Sequence, residues 1–180
     1  MSRAATRPAA TDCDRARAAL RGRAAWCVGA GSLAVGALVY LVDRAAGSAS
    51  LLPAGAWSGT GWHFGAVGAW LPSFVHPFAF SLVFAALAPT DAARAYRACA
   101  AWWAVNVVFE LGQLAPAATA IAVALHAAFR DAAPARALAN YFLRGTFDRA
   151  DLLAATAGSL AAAGLIHLLV QPKAGADHED

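Results

Sequence analysis

Trp103, Asn106, Glu110 and Gln113 follow one another at intervals of three, four and three residues, a spacing that stacks them on one face of a helix. Glu110 is the one glutamate in the apolar body of the chain, inside a run, Trp102-Trp103-Ala104-Val105-Asn106-Val107-Val108-Phe109-Glu110-Leu111-Gly112-Gln113, that otherwise reads as membrane-spanning. An ionisable group there costs at least a few kcal/mol and by default faces a protein interior or a water-filled cavity, marking a functional site. Two kinds of chemistry suit it. One is headgroup binding, with Arg144 or Arg149 holding a phosphate and Glu110 and His76 contacting an amine or a sugar. The other is general acid-base work by Glu110 beside a titratable His76.

The bland alternative is structural. Asn106, Glu110 and Gln113 would be interhelical glue at about 1 kcal/mol each, and Asp148 and Asp151 would cap the helix that follows them. For the two aspartates alone capping is the better account. For Glu110 the functional reading is better, because Gln would serve as glue without the problem of a charge. His126 and His167 read as packing residues. His76, Glu110 and Asp148 are a weak ligand set for a metal, without the spacing of an HExxH site, and neither metal nor cofactor is expected. No nucleotide loop, nucleophile elbow or haem motif occurs.

The elements that must position these groups follow from composition. The chain has 180 residues, 60% hydrophobic and 14% charged, against roughly 25% charged in soluble domains. This predicts an all-α membrane protein in one domain, with about four spans of roughly 20 residues and one or two short interfacial or re-entrant helices. Arg3, Arg7, Arg15, Arg17, Arg21 and Arg23 precede the first apolar run and hold that end in the cytoplasm by the positive-inside rule. A nucleic-acid arm would need interleaved aromatics, which are missing. Arg dominates over Lys and Ala is abundant, a pattern of GC-rich bacterial genomes, so the expected location is a bacterial inner membrane with both termini cytoplasmic. Cys13, Cys27 and Cys99 form no CxxC motif and read as unpaired thiols.

Along the chain, 1–23 is a cytoplasmic arm and the spans are predicted at about 24–42, 71–88, 98–115 and 152–170. Gly29, Gly31, Ser32 and Gly36 in the first span, and Ala154, Gly158, Ala161 and Ala162 in the last, are small residues suited to close packing in lipid. The segment 47–68 reads as an outer loop whose Trp57 and Trp62, with Trp70 beyond it, suit the headgroup belt. Pro77 should kink or break the second span. A loop with Asp91, Arg94 and Arg97 leads to the third. The interfacial region, about 117–143, holds an apolar stretch 117–129, too short for a full span, and a helix 135–143 with Arg136 and Arg144 available to phosphates. A polar tail 171–180 ends the chain. On this topology His76, Glu110, Gln113, Asp148 and Asp151 share one depth near the outer surface. The small-residue faces would also serve a membrane-protein partner or a second copy.

Three stretches resemble the VanZ-like family of bacterial membrane proteins. Asn106 with Glu110 and Gln113 is similar to its Asn-x-x-x-Glu-x-x-Gln pattern. Gly145-Thr146-Phe147-Asp148-Arg149-Ala150-Asp151 resembles its Gly-x-Phe-Asp-x-x-Asp pattern, and Leu71-Pro72-Ser73-Phe74-Val75-His76-Pro77 its motif of a His before an apolar helix. Many members carry Asn where this chain has Ala155. The resemblance implies a four-span protein, in some members linked to resistance against lipoglycopeptide antibiotics, with no settled reaction; the polar cluster itself makes membrane lipids the expected partners.

Overall fold

The computed structural model describes residues 12–43, 64–87, 91–130 and 132–170. The arginines at 3 and 7, the outer loop with Trp57 and Trp62, and the tail 171–180 lie outside the described residues. All the regular structure described is helical: α1 (Asp12–Asp43), α2 (Ala66–Ala86), α3 (Ala92–Leu111), α4 (Ala115–Phe129), α5 (Ala133–Arg144) and α6 (Arg149–Val170). Arg15–Val39 of α1, α2 and α6 are each long and apolar enough to cross a bilayer, and α3 with α4 qualifies as a pair bent by 100°. The chain is a multi-pass helical membrane protein, with three or four candidate spans among the described residues.

The predicted third span, 98–115, has a different course. α3 stops at Leu111 and the chain turns before α4 starts at Ala115. Pro116 sits in the first turn of α4, where its missing N–H is harmless, whereas in a continuing α3 its ring would clash with the carbonyl of Gly112. Asp91 accepts a hydrogen bond from the Arg94 N–H (2.8 Å) and caps α3, so the stretch with Arg94 and Arg97 is helical rather than loop. α1 likewise takes in residues 12–23 of the predicted arm.

α2 begins earlier than predicted and runs through both Pro72 and Pro77. Pro77 removes the donor that would have bonded the Ser73 carbonyl. α2 packs against α1, α3 and α6, and α6 packs against α2 and α3. These contacts are close because small residues meet backbone. A Cβ added at Gly158 of α6 would strike the Phe74 carbonyl of α2, and one at Gly29 of α1 would lie 2.9 Å from the Ala79 oxygen. With no hydrophobic force between helices in lipid, such approach is what holds them. Leu82 and Ala85 of α2, Ala95 and Cys99 of α3, and Ala162 and Ile166 of α6 form the buried core. Phe80 stacks on Trp102 with centroids 4.4 Å apart, joining α2 to α3.

α4 and α5 pack on each other as a hairpin around the buried alanines 118, 122, 135 and 139. The hairpin turns through Arg130, which ends α4 in the left-handed region (φ 44°). Arg136, Asn140 and Arg144 make one exposed face of α5. A helix set at 100° to α3 and an amphipathic partner suit a layer lying along a membrane face.

Candidate functional site

The start of α2, the end of α3 and the start of α6 meet at one end of the bundle, and hydrogen bonds tie them there. Glu110, in the last turn of α3, is partly buried and its Oε1 accepts from the Asp148 backbone N–H at 2.7 Å. That N–H lies just before α6, where the first turn leaves donors without helical partners. The Asp148 Oδ1 accepts from the Ala150 N–H at 2.8 Å, so Asp148 is the aspartate that caps α6. Asp151, one turn on, points to α2 instead, and its Oδ1 accepts from the Ser73 hydroxyl at 2.7 Å. Asp148 and Asp151 both lie within electrostatic range of Glu110. Three carboxylates therefore share one end of the bundle, each with one oxygen bonded as above.

Gln113 joins them from the turn after α3. Its Nε2 donates to the Tyr141 hydroxyl of α5 at 3.2 Å. Its side chain folds over Gly145, where an added Cβ would collide with the amide. Directly before Gln113, Gly112 gives the same room to Phe142, whose Cε1 would lie 2.6 Å from an added Cβ. Phe109 meets Tyr141 edge-on at 5.7 Å and Phe142 at 5.4 Å. These contacts dock the α4–α5 hairpin on the end of α3 and bring Arg144 to the border of the site. Arg144 and Arg149 are exposed, and among the described residues neither forms an ion pair.

Two predicted members stand apart. Asn106 turns back on its own helix, its Nδ2 donating to the Trp102 carbonyl at 2.8 Å. Its neighbour Trp103 makes the cross-helix bond instead, from Nε1 to the Thr156 hydroxyl of α6 at 3.1 Å. His76 is exposed, with its ring 6.2 Å from that of Phe80, and no hydrogen bond joins it to Glu110 among the described residues. His76 sits one turn beyond Ser73, so it borders the acidic group without closing an acid-base pair.

Ser73, Tyr141 and Thr156 are the partners that sequence reasoning missed. Ser73 stood inside a quoted motif, but only the α2–α6 crossing shows that its hydroxyl meets Asp151. Among the described residues, no three His, Cys, Asp or Glu side chains are arranged to hold a metal ion. What the arrangement offers is a partly exposed acidic group with arginines at its edge. Such a group attracts cations and amines while the arginines attract phosphate. Neither a family model, nor a curated protein, nor a solved structure matches this chain.

Proposed function

We propose that this chain is a VanZ-like protein of the bacterial inner membrane that uses the Glu110 end of its bundle, facing outward, to bind an envelope lipid or lipid-linked headgroup. Both termini would then be cytoplasmic, as the arginines of α1 favour. A link to cell-envelope or glycopeptide-type antibiotic tolerance belongs to the same proposal. The observation that carries it is the grouping of Glu110, Asp148 and Asp151 beside Arg144 and Arg149. A zwitterionic headgroup, with an amine and a phosphate a few bonds apart, matches that charge pattern. Binding without chemistry is the preferred form, since His76 makes no bond to Glu110.

A structural role is the second reading, and the Glu110 to Asp148 bond favours it, because a carboxylate capping a helix start explains itself without a ligand. Native mass spectrometry of the protein extracted with its own lipids separates the two. Binding predicts a specific lipid that is present with wild type and lost with Glu110→Ala while the protein stays folded. Identical lipid profiles, with a lower unfolding temperature for the variant, would leave only the structural role. Retention of the lipid by Glu110→Gln would show that the carboxylate acts as a hydrogen-bond acceptor and not as an acid or base.

A further inference from the structure

The opposite end of the bundle is open where the first is tied. α1 packs on α2, and α3 packs on α2 and α6, which leaves the space between α1 and α3 unfilled by the described residues. There Arg21 and Ala25 of α1 face Ala92 and Ala95 of α3 across a half-open cleft, floored by Ala85 of α2 and Ile166 of α6. The floor is hydrocarbon and belongs to the buried core.

Charge at the rim names the rest of the occupant. Arg21 is half-buried and makes no ion pair among the described residues. Arg17 stands one turn before it on the same face. Asp91 also lines the cleft, but its carboxylate already accepts from the Arg94 N–H and lies 3.7 Å from the Arg94 guanidinium. The rim is therefore cationic around an apolar slot. A planar guanidinium beside hydrocarbon is well matched to a phosphate diester carrying an acyl chain.

We propose that the cleft between α1 and α3 binds one anionic phospholipid, with an acyl chain over Ala25, Ala95 and Ile166 and the phosphate against Arg21. The site lies at the other end of the molecule from Glu110 and stands or falls separately from the function proposed for that end.

The test is native mass spectrometry of the full chain in detergent, titrated with dioleoyl phosphatidylglycerol and, in parallel, with dioleoyl phosphatidylcholine. The expected result is one tightly held phosphatidylglycerol that phosphatidylcholine does not replace. Arg21→Gln should weaken it about fivefold, the share of one arginine near a lipid surface. Arg23→Gln should leave it unchanged, because Arg23 is exposed and outside the cleft lining. Ala92→Phe, at the rim, should abolish it by filling the slot, and excess inorganic phosphate should not compete. Equal binding of the two lipids, or equal loss in the Arg21 and Arg23 variants, would reduce the effect to general surface charge and overturn the proposal. So would displacement by inorganic phosphate, or undiminished binding in a folded Ala92→Phe.

Discussion

The two ends of this bundle solve the same packing problem in opposite ways. At the Glu110 end, side chains from α2, α3 and α5 reach across to neighbouring segments: Ser73 to Asp151, Glu110 to the Asp148 N–H, Gln113 to Tyr141. At the other end α1 and α3 stand apart over an apolar cleft, and the Tyr96 to His167 bond between α3 and α6 is long, at 3.3 Å. Polar bonds in a membrane protein contribute modestly, near 0.6 kcal/mol on average. The tied end is therefore not built for stability alone. Its bonds fix where three carboxylates sit, while the open end keeps a cleft that the described residues do not fill.

The middle of the bundle must hold if the ends are to differ at all, and the largest expected effect lies there. Gly158→Val would drive a side chain into the Phe74 backbone, which cannot give way as a flexible side chain could. A loss of about 3 kcal/mol or more is expected, read as a collapse of the unfolding temperature in detergent together with low abundance. A variant that stays folded with near wild-type stability would mean that α2 and α6 do not cross at Phe74, and the placement of Asp151 against Ser73 would go with it.

Next is the bond between those two. Ser73→Ala removes a hydroxyl donor from a partly buried carboxylate at 2.7 Å, and hydrogen bonds to charged groups are at the strong end of the range. About 1.5 kcal/mol is expected. A double-mutant cycle with Asp151→Ala isolates the pair, and a coupling near zero would show that the tied end is not tied there.

How much of this was legible beforehand depends on which link is asked about. Apolar runs at span length placed the last span within a few residues, because nothing in 152–170 competes with a helix. The same reasoning carried the third span to residue 115, directly before Pro116, since hydropathy does not register that a proline ring already excludes a continuing helix at the carbonyl four residues earlier, that of Gly112. Helical spacing put Glu110 and Gln113 on one face of α3, and the structure brings them against the segment before α6 at Asp148 and Gly145. It grouped Asn106 with them only by angle, and angle does not decide between a neighbouring helix and the backbone one turn back. Ser73 and Thr156 were hidden for a related reason. A hydroxyl in an apolar run usually bonds its own helix, as Ser32 does to Val28 and Thr156 to Leu152, both at 2.8 Å, and only the helix crossing tells which one also meets a neighbour.

Glu110→Ala is expected to cost less than Ser73→Ala, about 1 kcal/mol. The Asp148 N–H it leaves behind is exposed, so water can take the place of the carboxylate and the penalty falls at the low end for a lost partner. Glu110→Gln keeps an acceptor and should recover most of the difference in unfolding temperature. A cost of several kcal/mol for Glu110→Ala would recast this end as a structural clamp and sharpen the contrast with the open end in a way that disfavours a ligand.

The smallest effect is expected at the open end. Tyr96→Phe removes a hydroxyl that sits 3.3 Å from the His167 Nδ1 on an exposed surface, where water replaces either partner and the geometry is already long for such a bond. A change of no more than about 0.5 kcal/mol follows, measured as a shift in unfolding temperature against wild type in the same detergent. The comparison between the ends rests on this value being smaller than that for Ser73→Ala. If Tyr96→Phe cost as much, the α3–α6 seam would be held as firmly beside the cleft as at the carboxylates, and the cleft would be a gap in a rigid frame. A negligible cost leaves the α3 side of the cleft free to adjust, as a slot for a flexible acyl chain requires.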